Sequence, residues 1–482
     1  MLFNSVSFLL FFPIVVIIYY ALPHKMRPLF LLIASSYFYM CYVPKYILIL
    51  FFLITLDYIL GRAIQGSTGR SRKWLLIVSI LSNLGTLFVF KYLNFFNENI
   101  AALAHLLNWQ YSFALLRVAL PLGLSFHVFQ SLSYVIEVYK GRYKAEMNYI
   151  HYALYVMFFP QLVAGPIERP QNLLPQINTL RDFDFSRMKR GLERMLWGFF
   201  KKLVIADQIS VIVDRLFSHL PSDSFSLVFL SVLFTYQLYC DFSGYSDIAI
   251  GSANVLGFDL VENFNRPFAA ISVADFWRRW HISLSSWLRD YLYYPLAFSW
   301  GKVSKYRLYV SLFITFTLIG LWHGARMTFV VMGALHGMYL VVGSMTERFR
   351  DKFAVFIRLS VFPRMRSVLK ILTVFSLVTI SFIFFRAESV SQALWIIGHI
   401  FTGGYMGLKS LQGLGLVNDG RLMIFPAIIF MEVVQYVMVK KGTFYIFEDK
   451  PKIFRYAWRY ALIFILLWFG SGAEQAFIYF QF

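Results

Sequence analysis

The sequence predicts an all-α, polytopic integral membrane protein, and three observations carry that prediction. Of its 482 residues, 59% are hydrophobic and 20% aromatic, while only 15% are charged; an ordinary globular domain is about 45–50% apolar and about 25% charged. The apolar residues fall in long blocks such as SVSFLLFFPIVVIIYYAL (5–22) and WLLIVSILSNLGTLFVF (74–90), close to the roughly 20 residues a helix needs to cross hydrocarbon. Finally, 45 Lys and Arg stand against 25 Asp and Glu, a formal charge of +20. In a soluble protein such an excess suggests nucleic acid, but in a membrane protein it marks cytoplasmic loops, so a lipid bilayer and no nucleic acid is the expected partner.

Taken in order, spans are expected near 5–22, 28–42, 46–61, 75–93, 115–139, 203–219, 226–250, 308–322, 326–343, 368–386, 421–438 and 457–472, about a dozen in all. The first has neither the basic n-region nor the small-residue cleavage site of a signal peptide, so Met1–Leu22 is expected to remain as a span. Basic residues then gather on alternate connections: Lys25 and Arg27; Arg62, Arg70, Arg72 and Lys73; Lys140, Arg142 and Lys144; Arg181 through Lys202; Arg278 through Arg307; Arg348 through Lys370; Lys440 through Arg459. Residues 94–114 and 217–225 contain no Lys or Arg. The positive-inside rule makes the basic set cytoplasmic and places both termini outside.

Two stretches do not read as simple spans. HYALYVMFFPQLVAGPIERP (151–170) is apolar, yet both its flanks are basic, and Pro160 and Pro166 break it. A segment that enters and leaves on one side is expected, and irregular backbone at membrane depth must be buried in protein or line a cavity. NFNRPFAAISVADFWRRWHISLSSWLRDYLYYPLAFSW (263–300) alternates aromatics with Arg, which suits helices lying at the interface, with rings at headgroup depth and guanidinium groups toward water. Cys41 and Cys240 lie in apolar surroundings, without a CxxC or Cys/His cluster, so neither a disulfide framework nor a metal site is expected. No internal repeat or linker divides the chain, which is read as one membrane domain over 1–482.

Of the nine histidines, two stand out. His323 lies in IGLWHGA (319–325), at the turn of a hairpin formed by 308–322 and 326–343. The 15 residues of the first arm reach about 22 Å at 1.5 Å per residue, short of the roughly 30 Å core, so His323 is expected at depth. An ionisable side chain there is a functional hypothesis by default. Burial disfavours the imidazolium and keeps a neutral ring nitrogen ready to take a proton from a hydroxyl. Gly320 and Gly324 beside it would let backbone or substrate approach closely, and Trp322 is a candidate to line the same cavity. The bland alternative is a histidine that bonds two helices.

His281 is the second candidate, in DFWRRWHISLSSWLRDYLYYPL (275–296). Arg278, Arg279 and Arg289 surround it in sequence and form a group able to bind phosphates from the cytoplasmic side. Equally, they are what the positive-inside rule puts at an interface. Upstream, YQLYCDFSGYSDIAIG (236–251) sets Asp241 and Asp247 in an apolar span. Acids there are costly unless paired or facing a polar cavity; they line a site or bond arginines, and the residues alone leave both readings open.

Together, FWRRWHISLSSWLRDYLYYPL, GLWHGA followed by ALHG (334–337), YCDFSGYSDIAIG, ENFNRPF and LVAGPIERP resemble the signature blocks of membrane-bound O-acyltransferases. The resemblance is to the bacterial branch that O-acetylates alginate, peptidoglycan and cellulose, and it extends over nearly the whole chain. It implies helices, some re-entrant and interfacial, around a central funnel. It implies that His323 matches the family's catalytic histidine and His281 the second one, that the reaction is acyl transfer to a hydroxyl, and that the location is the bacterial inner membrane. No bound cofactor is implied; acetyl-CoA is the expected donor substrate, and the acceptor, an extracellular or periplasmic polysaccharide, lies beyond the membrane.

The final residues, FIYFQF (477–482), have the pattern Phe477-x-Tyr479-x-x-Phe482. This is similar to the acyl-carrying motif of the small relay protein in teichoic-acid D-alanylation, and it implies that Tyr479 could act as an acyl relay within a tail spanning 471–482. A hydroxyl on a tethered tail has a high effective concentration near the site. An interfacial aromatic belt explains the same residues. The outer connections, roughly 10–35 residues long, are too short to build the folded domain that would hold a polysaccharide, and no GxSxG elbow is present. A periplasmic partner is therefore expected for the final transfer, and the resemblance implies a serine-type (SGNH-like) O-acetyltransferase. Two rival functions stay open at this level: a D-alanyl-type acyltransferase subunit for cell-wall polymers, and a transporter of an acyl carrier.

Overall fold

A computed structural model describes residues 1–482 except 43, 110, 112–120, 122, 180, 299, 300, 302, 405–420, 472–474 and 479–482. All regular secondary structure among the described residues is helical, with no strand among them, and the chain divides into two compact units. The first comprises Met1–Met195 with Ser246–Val261, the second Leu196–Tyr245 with Glu262–Phe482. Among the described residues, five helices are long and apolar enough to cross a membrane: Pro44–Gly66, Gly69–Leu106, Ser224–Val255, Met327–Met345 and Pro363–Arg386. Shorter apolar helices, among them Val6–Ala21 and Val390–Thr402, accompany them.

In the first unit, α1 (Val6–Ala21) begins where the Ser5 hydroxyl accepts the Phe8 amide, satisfying one of the open N–H groups of the first turn. It is followed by α2 (Arg27–Met40), α3 (Ile47–Gly66), α4 (Gly69–Leu87), α5 (Leu93–Leu106) and α6 (Leu124–Tyr139). A buried carboxylate ties several of these together. Asp57 of α3 accepts from Ser79 (2.6 Å) and Asn83 (2.7 Å) of α4 and from Ser131 of α6. Ser131 also meets the Tyr152 hydroxyl at 2.9 Å. Neutral donors thus surround an acid that apolar surroundings would otherwise penalise.

The segment expected to be irregular is broken as its prolines require. After α7 (Tyr149–Met157) the backbone leaves helical geometry at Phe158, Pro160 sits in the first turn of the four-residue α8 (Phe159–Leu162), and Pro170 opens α9 (Pro170–Asn178). The nine residues of α7 reach only about 13 Å. Their neighbours through Ala164 are buried, the condition under which broken backbone is tolerated in lipid.

Helix α10 (Phe185–Phe199) runs through a π-helical turn (Phe200–Ala206) into α11 (Asp207–Ser218), and the 32-residue α12 (Ser224–Val255) follows. In the apolar window of α12, 72% of residues are buried in protein, the highest share among the five long helices. The charge map is altered here. Arg194, Lys201 and Lys202, which belong to the basic stretch 181–202, are all buried, so they bond within the protein instead of marking a solvated loop.

The rest of the second unit contains α13 (Val273–Trp277), α14 (Ile282–Leu288), α15 (Tyr294–Phe298), the hairpin α16 (Lys305–His323) and α17 (Met327–Met345), then α18 (Glu347–Phe356), α19 (Pro363–Arg386), α20 (Val390–Thr402), α21 (Ile424–Lys441) and α22 (Lys452–Phe469). The hairpin arms touch along a seam of glycines. A Cβ on Gly320 would collide with the Phe329 carbonyl and the Gly333 backbone, and one on Gly333 with the Phe316 carbonyl. Helix α16 has 19 residues, about 28 Å, longer than the apolar core of its sequence suggested. It starts earlier because the Ser304 hydroxyl caps the Arg307 amide, which brings Lys305 and Arg307 into its first turn.

Candidate active site

The WRRWH block folds as two short helices with a strained corner between them. Ser272 starts α13 by accepting the Asp275 amide at 3.0 Å. The Asp275 carboxylate then receives the Ile271 amide (3.2 Å) and Arg279 Nε (3.0 Å). Burial works against that carboxylate's charge, but the Arg279 and Ile271 hydrogen bonds and the charges of Arg279 and Arg278 together outweigh it and hold the group below the usual carboxylate range. His281 makes the corner in left-handed conformation, φ 43° and ψ 54°, a region non-glycine residues occupy only at some cost. What holds it there is the ENFNRPF block. The Ile282 amide donates to the Asn263 carbonyl and the Asn265 amide to the Arg279 carbonyl, both at 2.9 Å.

Asn263 also fixes the imidazole. Its Oδ1 receives the Ser283 amide (3.3 Å), the Ser283 hydroxyl (2.9 Å) and His281 Nδ1 (3.1 Å). A backbone N–H can only donate, so the Asn263 atom is the oxygen and His281 Nδ1 carries the proton. The lone pair of the neutral ring is thereby on Nε2. Full burial pushes this imidazole down to about 3, so it is neutral at physiological pH.

His323 is the last residue of α16 and is buried. Trp322 stands between the two histidines, its ring centroid 4.9 Å from His323 and 6.2 Å from His281. Phe385 of α19 closes the far side of His323 at 5.6 Å, and Phe242 of α12 meets His281 edge-on at 4.6 Å. Gly324, expected to admit a close approach, faces the Phe329 ring; the close approach is made by the other arm of the hairpin. The structure thus brings His281, Trp322 and His323 into one aromatic assembly from residues 41 positions apart and more.

A third histidine supports it. His336, in the ALHG block, accepts from Trp277 Nε1 at 3.3 Å, and its Nε2 meets the Ser381 hydroxyl at 3.0 Å. Since indole only donates, Nδ1 is the acceptor and the proton is on Nε2. His336 thereby fastens α13 to α17 and α19. The residues alone singled out neither Asn263 nor His336, although both lie inside motif blocks.

The remaining candidates separate. Arg279 is half-buried on Asp275, while Arg278 is largely exposed and 3.6 Å from the same carboxylate. Arg289 is exposed and paired with Asp290 at 2.8 Å. Asp247 belongs to the first unit, where Arg194 grips its Oδ1 through Nε (3.0 Å) and a terminal nitrogen (2.9 Å). Asp241 belongs to the second unit and is 2.8 Å from Lys202 Nζ, which Asp207 also holds at 2.8 Å. Tyr479 lies outside the described residues. The residues just before it are well placed: Phe477 packs 5.5 Å from Phe242, and the Ile478 amide donates to Asp241 Oδ2 at 2.7 Å.

Residues 143–382 match the family model described as MBOAT, membrane-bound O-acyltransferase family. The chain is 38% identical over 423 residues to a Pseudomonas aeruginosa protein named "Probable alginate O-acetylase AlgI", covering 87% of this chain and 78% of that one. It is 30% identical to the peptidoglycan O-acetyltransferase of Helicobacter pylori over 529 aligned positions, covering 100% and 98% of the two chains. Over 48% of its length it is 28% identical to the teichoic acid D-alanyltransferase of Bacillus subtilis, covering 61% of that protein.

Proposed function

Because the chain belongs to the membrane-bound O-acyltransferase family and is an O-acyltransferase of the membrane, we propose that it takes acetyl from cytoplasmic acetyl-CoA and passes it outward for O-acetylation of an extracellular or periplasmic polysaccharide. The observation that carries this reading is the His281, Trp322 and His323 assembly, with the His281 tautomer set by Asn263. The acceptor hydroxyl oxygen attacks the thioester carbonyl carbon, the C–S bond breaks, and the hydroxyl proton passes to His323 and then to the departing CoA sulfur. His281, offering Nε2 as acceptor, orients the donor or the acceptor hydroxyl. Arg278, Arg279 and Arg289 meet the phosphates of the donor, and Arg278 has the most exposed side chain of the three.

Tyr479 is the first acceptor in this scheme. It carries acetyl as an aryl ester and gives it to the serine hydroxyl of a periplasmic SGNH-like O-acetyltransferase, which regenerates the phenol. The partner then acetylates the polymer. Alginate and peptidoglycan name the class of acceptor in the relatives. The alternation of basic connections supports an inner-membrane protein with both termini outside and the donor site within.

Purified protein and acetyl-CoA labelled in the acetyl group test the proposal. Label is expected to leave CoA and, in membranes containing the partner, to reach polymer; His323→Ala is expected to lower both by at least a hundredfold without loss of membrane protein. Normal transfer by His323→Ala rejects the assignment. An intact thioester throughout indicates a transporter, or an enzyme that takes D-alanine from a carrier.

A further inference from the structure

The described residues after α22 bond back to the rest of the second unit. Gln208 donates to the Phe469 carbonyl at 3.2 Å, and the Ser471 amide donates to the Leu203 carbonyl at 3.1 Å. Phe477 and Ile478 are then each only 2% exposed. The Phe477 ring sits 5.5 Å from Phe242 and 4.8 Å from Tyr245, and Asp241 receives the Ile478 amide. Asp241, Phe242 and Tyr245 are spaced to share a face of α12, so one helix face reads both a ring and a main-chain amide.

The charges beneath that face explain why an amide is wanted there. Lys202, Asp207 and Asp241 are all buried, with Lys202 Nζ 2.8 Å from each carboxylate. A buried carboxylate is costly unless further donors approach it. The Ile478 N–H is such a donor, and a hydrogen bond to a carboxylate is about twice as strong as one between neutral groups. Lys201, the neighbouring cation, is directed to the Ser243 hydroxyl at 3.0 Å. A purely structural role for the triad would be served as well by apolar side chains; an oriented, charged acceptor is what a main-chain ligand requires.

We propose that Asp241, held by Lys202 and Asp207, is the receptor that seats the 475–478 segment, so that Phe477 locks against Phe242 and Tyr479 is delivered to the acyl-transfer site. The three charged residues are positioning residues and touch no reacting atom. This rests on the relay reading above. It adds that the seat and the reaction share a side chain, because Phe242 also packs on His281. Recognition by backbone and one ring makes the Ile478 amide, rather than its side chain, the group that Asp241 reads.

Two measurements on the full chain test this. In a Cys41→Ser background, which leaves only buried Cys240, an Ile478→Cys reporter is expected to react slowly with maleimide. Adding Asp241→Ala should raise the rate at least tenfold, and Asp241→Asn, which keeps a carbonyl acceptor, should raise it less. An unchanged rate in Asp241→Ala overturns the proposal. Because Asp241→Ala disturbs the triad, Ile478→Pro provides a second route: it deletes the donor, at the cost of fixing φ and restricting Phe477, and leaves Lys202, Asp207 and Asp241 in place. Its kcat for polymer acetylation should fall at least tenfold with KM for acetyl-CoA within twofold, and Ile478→Val, which retains the amide, should rescue it. Full kcat in Ile478→Pro, or a loss confined to KM, overturns positioning. Failure of the relay itself is separately visible: Tyr479→Phe with full polymer acetylation rejects the relay and leaves the maleimide result standing.

Discussion

Both units bury carboxylates, and Asp57 and Asp247 of the first are used differently from Asp241 of the second, whose counterpart in the first unit is Glu168, the acceptor of the Val261 amide. In the first, Asp57 is enclosed by Ser79, Asn83 and Ser131, and Asp247 by Arg194. Every partner is on a long or moderately long helix, so these contacts bond helix to helix. In the second, the polar contacts fasten irregular pieces: Asn263 holds the left-handed corner at His281, His336 holds a five-residue helix, and Asp241 holds the segment before Tyr479. A group that only joins helices answers to stability. One that fixes a strained or non-helical segment answers to geometry, and geometry is what acyl transfer depends on.

That contrast can be broken by substitution. The largest effect is expected for Asn263→Leu, which removes the acceptor that sets the His281 tautomer; kcat for acetyl transfer should fall about 30- to 100-fold, roughly 2–3 kcal/mol in barrier. Steady-state rates check it, and a tenfold or smaller loss would make Asn263 merely structural. Asp57→Ala should do the opposite. It strands buried donors and should cost about 2–4 kcal/mol of stability, read as a lowered Tm in detergent, with specific activity per folded molecule unchanged.

A smaller effect follows from His281. Its folded value, near 3, lies below the roughly 6.5 of an exposed imidazole, so between these values the unfolded chain binds a proton that the native one does not. Stability should therefore be unaffected by this group above about pH 6.5 and fall as pH drops toward 3. His281→Gln should flatten that part of the Tm-against-pH curve by a few degrees; an unchanged slope would assign the acid sensitivity elsewhere. The smallest effect is expected for Arg278→Ala, a three- to fivefold rise in KM for acetyl-CoA with kcat unchanged, shrinking at high salt because the side chain is exposed.

How much of this was legible in the residues alone differs between the same regions. Apolar blocks located the five long helices, four of them to within about five residues, because the length of a spanning helix is set by the bilayer; the expected 75–93 is the exception, its helix running Gly69–Leu106. Pro160 and Pro166 announced the broken segment, and IGLWHGA announced the hairpin whose turn follows His323. The partners were hidden. Asn263 and His281, or Asp241 and Ile478, are joined by backbone geometry that no spacing rule encodes. Lys202 was misleading for a specific reason: a charge count cannot tell a lysine in a loop from one between two buried carboxylates.

The π-helical turn at Phe200–Ala206 has a consequence for insertions and deletions. Its i→i+5 bonding holds one residue more than an α-turn would, and it contains both Lys201 and Lys202 while Asp207 follows immediately. In a regular α-helix of the same residue count, Lys202 and Asp207, five positions apart, would point about 140° apart around the axis, whereas i→i+5 bonding stacks them. Lys202 and Asp207 would then no longer converge on Asp241. The turn therefore acts as a frame setter for the second unit: substitutions within it are tolerated according to side chain, but its residue count is fixed.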